Sequence, residues 1–126
     1  MSGPMLIMIA VAGGVGAALR FLVDLAIQRR LADRSALPWG TMVINLSGSL
    51  LLGLITGYVS GHVDQAWATV AGVGLLGGYT TFSTASVETV RLLADRRYRD
   101  GLINGLGMLF GSVLLAYAGL LVGRLG

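Results

Sequence analysis

Gly77-Gly78-Tyr79-Thr80-Thr81-Phe82-Ser83-Thr84 stands in the middle of an apolar run that extends from Trp67 to Leu93. A helix of about 20 residues crosses the roughly 30 Å of hydrocarbon in a bilayer, so the run is longer than one crossing needs. Two glycines and a cluster of hydroxyl side chains weaken regular helix at its centre, and the sequence predicts a break there. Irregular backbone at membrane depth is tolerated only where its freed amides and carbonyls find partners in protein or along a polar cavity, and it commonly marks an ion site. A glycine-rich packing face whose hydroxyls bond back to their own helix is the competing reading, and the stretch alone supports both.

Three further apolar runs lie around it, from Met5 to Ile27, from Trp39 to Val59 and from Leu102 to Val122. The fold expected is therefore all-α, an integral membrane bundle of four helices with a broken third span, forming a single membrane domain over residues 1–126. Composition agrees: 55% of residues are hydrophobic and 12% charged, with a mean hydropathy of +0.79, whereas soluble domains carry about 25% charged residues. No positively charged region precedes the first run and its length suits a full span, so it is expected to remain in the mature protein. The chain has no cysteine, which removes disulfides and thiolate metal ligation.

Every basic residue is an arginine, and most fall in two short connectors. A membrane surface explains them better than nucleic acid does. Four spans place both termini on one side with the connector from Ser60 to Ala66, where His62 reads as a solvated side chain. Arg29, Arg30, Arg34, Arg91, Arg96, Arg97 and Arg99 fall on the other side, against Arg124 alone at the terminal side. The positive-inside rule then puts the termini outside and the arginines in the cytoplasm.

Inside the spans, polar residues are the functional candidates. An amide in hydrocarbon is costly unless it meets a partner or a polar path, so Asn45 is either pore-lining or an interhelical bond of about 1 kcal/mol. Thr41 and Ser49, four residues to either side, share its helical face. Arg20 with Asp24, and Glu88 with Arg91, have the spacing of structural charge pairs on one helix. Small residues recur four apart in Ser49, Gly53 and Gly57, in Gly74 and Gly78, and in Gly107 and Gly111. That spacing lets helices touch, and predicts tight packing and a dimer. No nucleophile with a base, paired-carboxylate site, histidine cluster or phosphate loop is present in the sequence, which argues against an enzyme.

Taken together, Gly13-Gly14-Val15-Gly16-Ala17-Ala18-Leu19-Arg20, then Trp39-Gly40-Thr41 with Asn45, then the Gly77 to Thr84 run with Glu88, resemble the fluoride channel family, often called Fluc or CrcB, in order, spacing and span placement. The resemblance covers all four spans. It implies an antiparallel dimer in a bacterial-type plasma membrane, with two narrow pores at the subunit interface that pass fluoride passively out of the cytoplasm and give fluoride resistance. It implies that Asn45 lies along the ion path with Thr41, Ser83, Thr84 and Ser112, and that Phe82 offers a ring edge to the anion. It further implies that the backbone carbonyls of Gly77 and Thr80 hold a structural sodium ion at the dimer's centre, while Arg20 is a structural charge. Such roles are physically coherent, because ring edges carry the positive part of the aromatic quadrupole and hydroxyl and amide donors replace part of an anion's water shell.

The sequence also departs from the family pattern. A second phenylalanine usual in the family is Ala85 here, and a tyrosine and serine common in the last span are Asn104 and Met108. With the one-sided arginines, these changes raise two alternatives to a homodimer: one half of a heterodimer with a related chain inserted the other way up, or a nonconducting partner subunit. A small proton-coupled exporter is a further alternative, but its only candidate carboxylates, Asp24 and Glu88, lie toward span ends beside arginines.

Overall fold

A computed structural model describes residues 3–31, 37–60 and 66–125; Arg34 and His62 lie outside them. Among the described residues all regular structure is helical. The first helix is Gly3–Leu31, the second Trp39–Val59 and the last Tyr98–Arg124. All three are long and apolar enough to cross a membrane. Pro38 opens the second helix, where its missing N–H costs nothing. At the far end the Ser60 hydroxyl donates to the Gly57 carbonyl at 2.7 Å.

Between the second and last helices the chain is helical in two parts. The leading part has α-helical turns at Ala66–Thr69 and Gly77–Tyr79 around a π-helical stretch, Val70–Leu76. Helical geometry stops after Tyr79: Thr80 (φ −82°, ψ 159°) and Thr81 (φ −149°, ψ 121°) are extended. It resumes in the trailing part, Phe82–Ala94, where Thr81 is the N-cap and its hydroxyl oxygen accepts the Thr84 N–H at 3.2 Å.

The trailing part ends in a Schellman turn, with the Arg97 N–H on the Leu92 carbonyl (2.9 Å) and the Arg96 N–H on the Leu93 carbonyl (3.1 Å). Arg96 occupies the left-handed position at φ 60°, which glycine takes without the steric penalty of a Cβ. Arg96→Gly is therefore expected to raise stability by about 0.5–1 kcal/mol, read as a higher melting temperature in detergent; a lower one would contradict the assignment of this corner.

Glycine contacts fix the arrangement of the helices. A Cβ on Gly53 or Gly57 would meet the carbonyls of Ala116 and Leu120, and one on Gly119 or Gly123 the carbonyls of Leu50 and Leu54. Likewise Gly78 lies on the Gly13 carbonyl, and Gly16 on the Leu75 carbonyl. Higher numbers meet higher numbers in both sets, so the second and last helices run in the same direction, as do the first helix and residues 66–79. Gly40 packs on the Asp24 side chain, where the second helix returns along the first.

The rows at Gly53 and Gly57 and at Gly74 and Gly78 form the expected tight packing, here as contacts within the chain, and Gly111 lies on Leu46; of the row glycines only Gly107 has open space around it. The interior is correspondingly thin, with Ile44, Val59, Leu76, Leu92 and Met108 as its buried apolar side chains. Large apolar side chains such as Phe21, Leu22, Phe110 and Leu114 point outward, as lipid-facing surfaces do.

Candidate functional site

The interruption is held by an amide from the neighbouring helix. Asn45 Oδ1 accepts the Thr81 N–H at 2.9 Å, and Asn45 Nδ2 donates to the Thr81 carbonyl at 2.7 Å and to Met108 Sδ at 3.4 Å. One side chain thus satisfies both backbone groups of an extended residue, as a neighbouring strand would. On the other side of the break, the Thr80 N–H (2.9 Å) and hydroxyl (2.8 Å) both donate to the Leu76 carbonyl. Ser47 Oγ and Tyr79 OH, 3.0 Å apart, tie the leading part to the second helix.

Beside the break lies an open groove of about 640 Å³ between the second helix, the interrupted segment and the last helix. Asn45 and Ser49 form one wall, Gly77, Thr80, Thr81, Phe82 and Ala85 another, and Met108 and Ser112 a third. Phe82 stands at its edge with 86% of its surface exposed. Polar groups of the break therefore face an opening on the side of the subunit.

The remaining candidates are placed as follows. Thr41 is buried away from the groove and donates to Glu88 Oε1 at 2.6 Å. Of the polar stripe on that helix, Asn45 and Ser49 reach the groove and Thr41 does not. Ser83 and Thr84 lie on the exposed start of the trailing part, outside the groove wall. Asn104, wholly buried, donates to Thr89 Oγ1 at 2.8 Å, and its Oδ1 has no hydrogen-bond partner.

Neither expected charge pair forms. Arg20 is half-buried, while Asp24 accepts from Gln28 Nε2 at 3.1 Å. Glu88 takes the Thr41 hydroxyl rather than Arg91. Among the described residues the one ion pair is Arg97–Asp100, at 3.6 Å and largely exposed, a type that adds little stability. Glu88, Arg91, Asp95 and Arg97 instead line a polar hollow of about 260 Å³ beside Pro38. This places the start of the second helix and the arginine-rich corner at one end of the molecule. Arg124 lies at the other, with its backbone against Gly57.

The carbonyls of Gly77 and Thr80 suit a cation for a reason visible in the backbone. In a continuous helix they would receive the N–H groups of Thr81 and Thr84; here those groups go to Asn45 Oδ1 and Thr81 Oγ1. Both residues also line the groove. Sequence reasoning missed Thr81 as the residue that Asn45 grips. The available signal was its position as a threonine N-cap ahead of Phe82.

Residues 7–120 match the family described as CrcB-like protein, Camphor Resistance (CrcB). The chain is 44% identical over 118 residues to fluoride-specific ion channel FluC 1 of Leifsonia xyli subsp. xyli, a match covering 93% of this chain and 85% of that one. It is 45% identical over 117 residues to fluoride-specific ion channel FluC 2 of Cutibacterium acnes, covering 91% and 94%. With fluoride-specific ion channel FluC of a Caulobacter species the identity is 34% over 122 residues, covering 94% of each.

Proposed function

Because the chain belongs to the CrcB-like family, we propose that it is a subunit of a fluoride-selective channel that lets fluoride leave the cytoplasm down its gradient and so confers resistance. The observation that carries this reading is the groove at the break, where the Asn45–Thr81 pairing, the Ser112 side of the last helix and the projecting Phe82 ring surround one opening. A dehydrated halide needs such surroundings, a hydroxyl donor and a positive ring edge set beside an irregular backbone in an otherwise apolar wall.

On this reading residues 67–93 form the third of four transmembrane spans, broken at Thr80 and Thr81. The groove is the half-pore of one subunit, closed by a second subunit inserted antiparallel to form two pores. Gly77 and Thr80 turn their carbonyls to a sodium ion at the dimer's centre. The arginine-rich end faces the cytoplasm and both termini face out.

Two observations favour a heterodimer over a pair of identical chains. Ala85 and Met108 stand in the groove wall where the family usually carries a ring and a hydroxyl. In addition, a chain with arginines gathered at one end inserts in a single orientation, so an antiparallel mate of the same sequence would oppose its own signal. A mate of related sequence and opposite bias fits, and this chain then either conducts or completes the mate's pore.

Fluoride efflux from loaded liposomes tests the proposal, with the protein alone and with a candidate partner. Efflux of fluoride but not chloride is expected, falling about tenfold or more in Phe82→Ile, since a lost ring-edge contact of about 1.4 kcal/mol in the path is a factor of ten. Equal passage of chloride, or an unchanged Phe82→Ile rate, rejects the assignment. A conducting dimer of this chain alone rejects the heterodimer.

A further inference from the structure

Asn45 has the wrong hydrogen-bond inventory for a free anion donor. A carboxamide offers two N–H groups and one carbonyl oxygen; here the N–H groups are engaged by the Thr81 carbonyl and Met108 Sδ, and the oxygen by the Thr81 N–H. Both N–H groups and one of the oxygen's two lone pairs are therefore engaged by protein.

Its effect falls on the next carbonyl back. In hydrocarbon a bare N–H is too costly to persist, so without Asn45 the Thr81 N–H would close onto Gly77 and the two helical parts would join. With Asn45 present, the Thr81 N–H is held elsewhere and the Gly77 carbonyl keeps no helical donor. The Thr81 hydroxyl does the same for Thr80 by taking the Thr84 N–H at 3.2 Å.

We propose that Asn45 is a positioning residue for the cation site. By holding the Thr81 backbone it keeps the Gly77 carbonyl available to sodium, and its link to fluoride runs through the shape of the break. This rests on the reading above that Gly77 and Thr80 face a sodium ion, and it makes the oxygen of the amide, rather than its N–H groups, the part that matters.

The experiment is a melting curve of the purified full-length protein, assembled with the partner with which it conducts where it does not conduct alone, in sodium against equal concentrations of potassium. Wild type is expected to melt about 5 °C higher in sodium, as a site binding only the folded state does at saturating ion. Asn45→Leu, which has no acceptor for the Thr81 N–H, is expected to lose the sodium difference. Asn45→Asp keeps an acceptor and is expected to retain it. A merely structural Asn45 would lower the melting temperature equally in both salts and leave the difference intact in Asn45→Leu, and that result overturns the proposal. Where Asn45→Leu does not fold, Asn45→Asp decides: loss of the sodium difference there is equally fatal. A wild type indifferent to sodium overturns this inference while leaving selective fluoride efflux, a separate measurement, free to succeed.

Discussion

Leucine at Gly53 or Gly119 is expected to leave no monodisperse subunit after extraction in detergent. At each position even a Cβ would overlap main chain, the Ala116 carbonyl in one case and the Leu50 carbonyl in the other. A carbonyl cannot rotate out of the way as a side chain can. Overpacking a well-fitted contact costs about 1–3 kcal/mol, and more where backbone has to shift. The contact concerned is the most extensive between helices of the chain, joining the second helix to the last. Lipid tails are as apolar as the helix faces, so separated helices gain nothing from hydrophobic burial, and close backbone approach carries the association. Gly107→Leu is the control. Nothing lies within 4 Å of a Cβ there, and its elution profile is expected to match the wild type. An unchanged profile for both Gly53→Leu and Gly119→Leu would show that the two helices do not pack as described.

Asn45→Asp is expected to reduce fluoride efflux by at least a hundredfold. The substitution keeps an acceptor for the Thr81 N–H, so the break persists and the loss is electrostatic. It places a negative charge in the groove wall. Two like charges about 4 Å apart repel by about 4 kcal/mol at an effective dielectric constant near 20, and about 1.4 kcal/mol is a factor of ten, so about two-thirds of that repulsion is already a hundredfold. Efflux at the wild-type rate would remove Asn45 from the neighbourhood of the ion path.

The sequence showed more of the backbone than of its partners. Apolar runs marked the first, second and last helices to within a few residues, because length and hydropathy are local properties. The stretch from Gly77 to Thr84 contains the two extended threonines, and it attracted attention through residue types that weaken helix. Long-range choices were not legible. Glu88 was paired with Arg91 by spacing, yet its partner is Thr41, a residue 47 positions earlier. Asp24 lies four residues from both Arg20 and Gln28, and spacing gave no means of preferring the amide. The glycine rows were visible, but a row does not say which surface it meets; most proved to be internal. Asn45 was singled out as a costly polar group, while its grip on the Thr81 backbone depends on an extended conformation that no periodicity encodes.

The same-direction pairing of the helices also sets an order of assembly. Gly13 waits for Gly78, and Gly53 for Ala116, each partner emerging from the ribosome roughly half a chain later. During synthesis the first two helices must stay in the bilayer with those glycine faces uncovered, held by their own mutual contact, the Asp24–Gly40 corner included. A nascent chain halted after Val59 would be left with those bare faces, ready for a surveillance protease or a stray helix to seize.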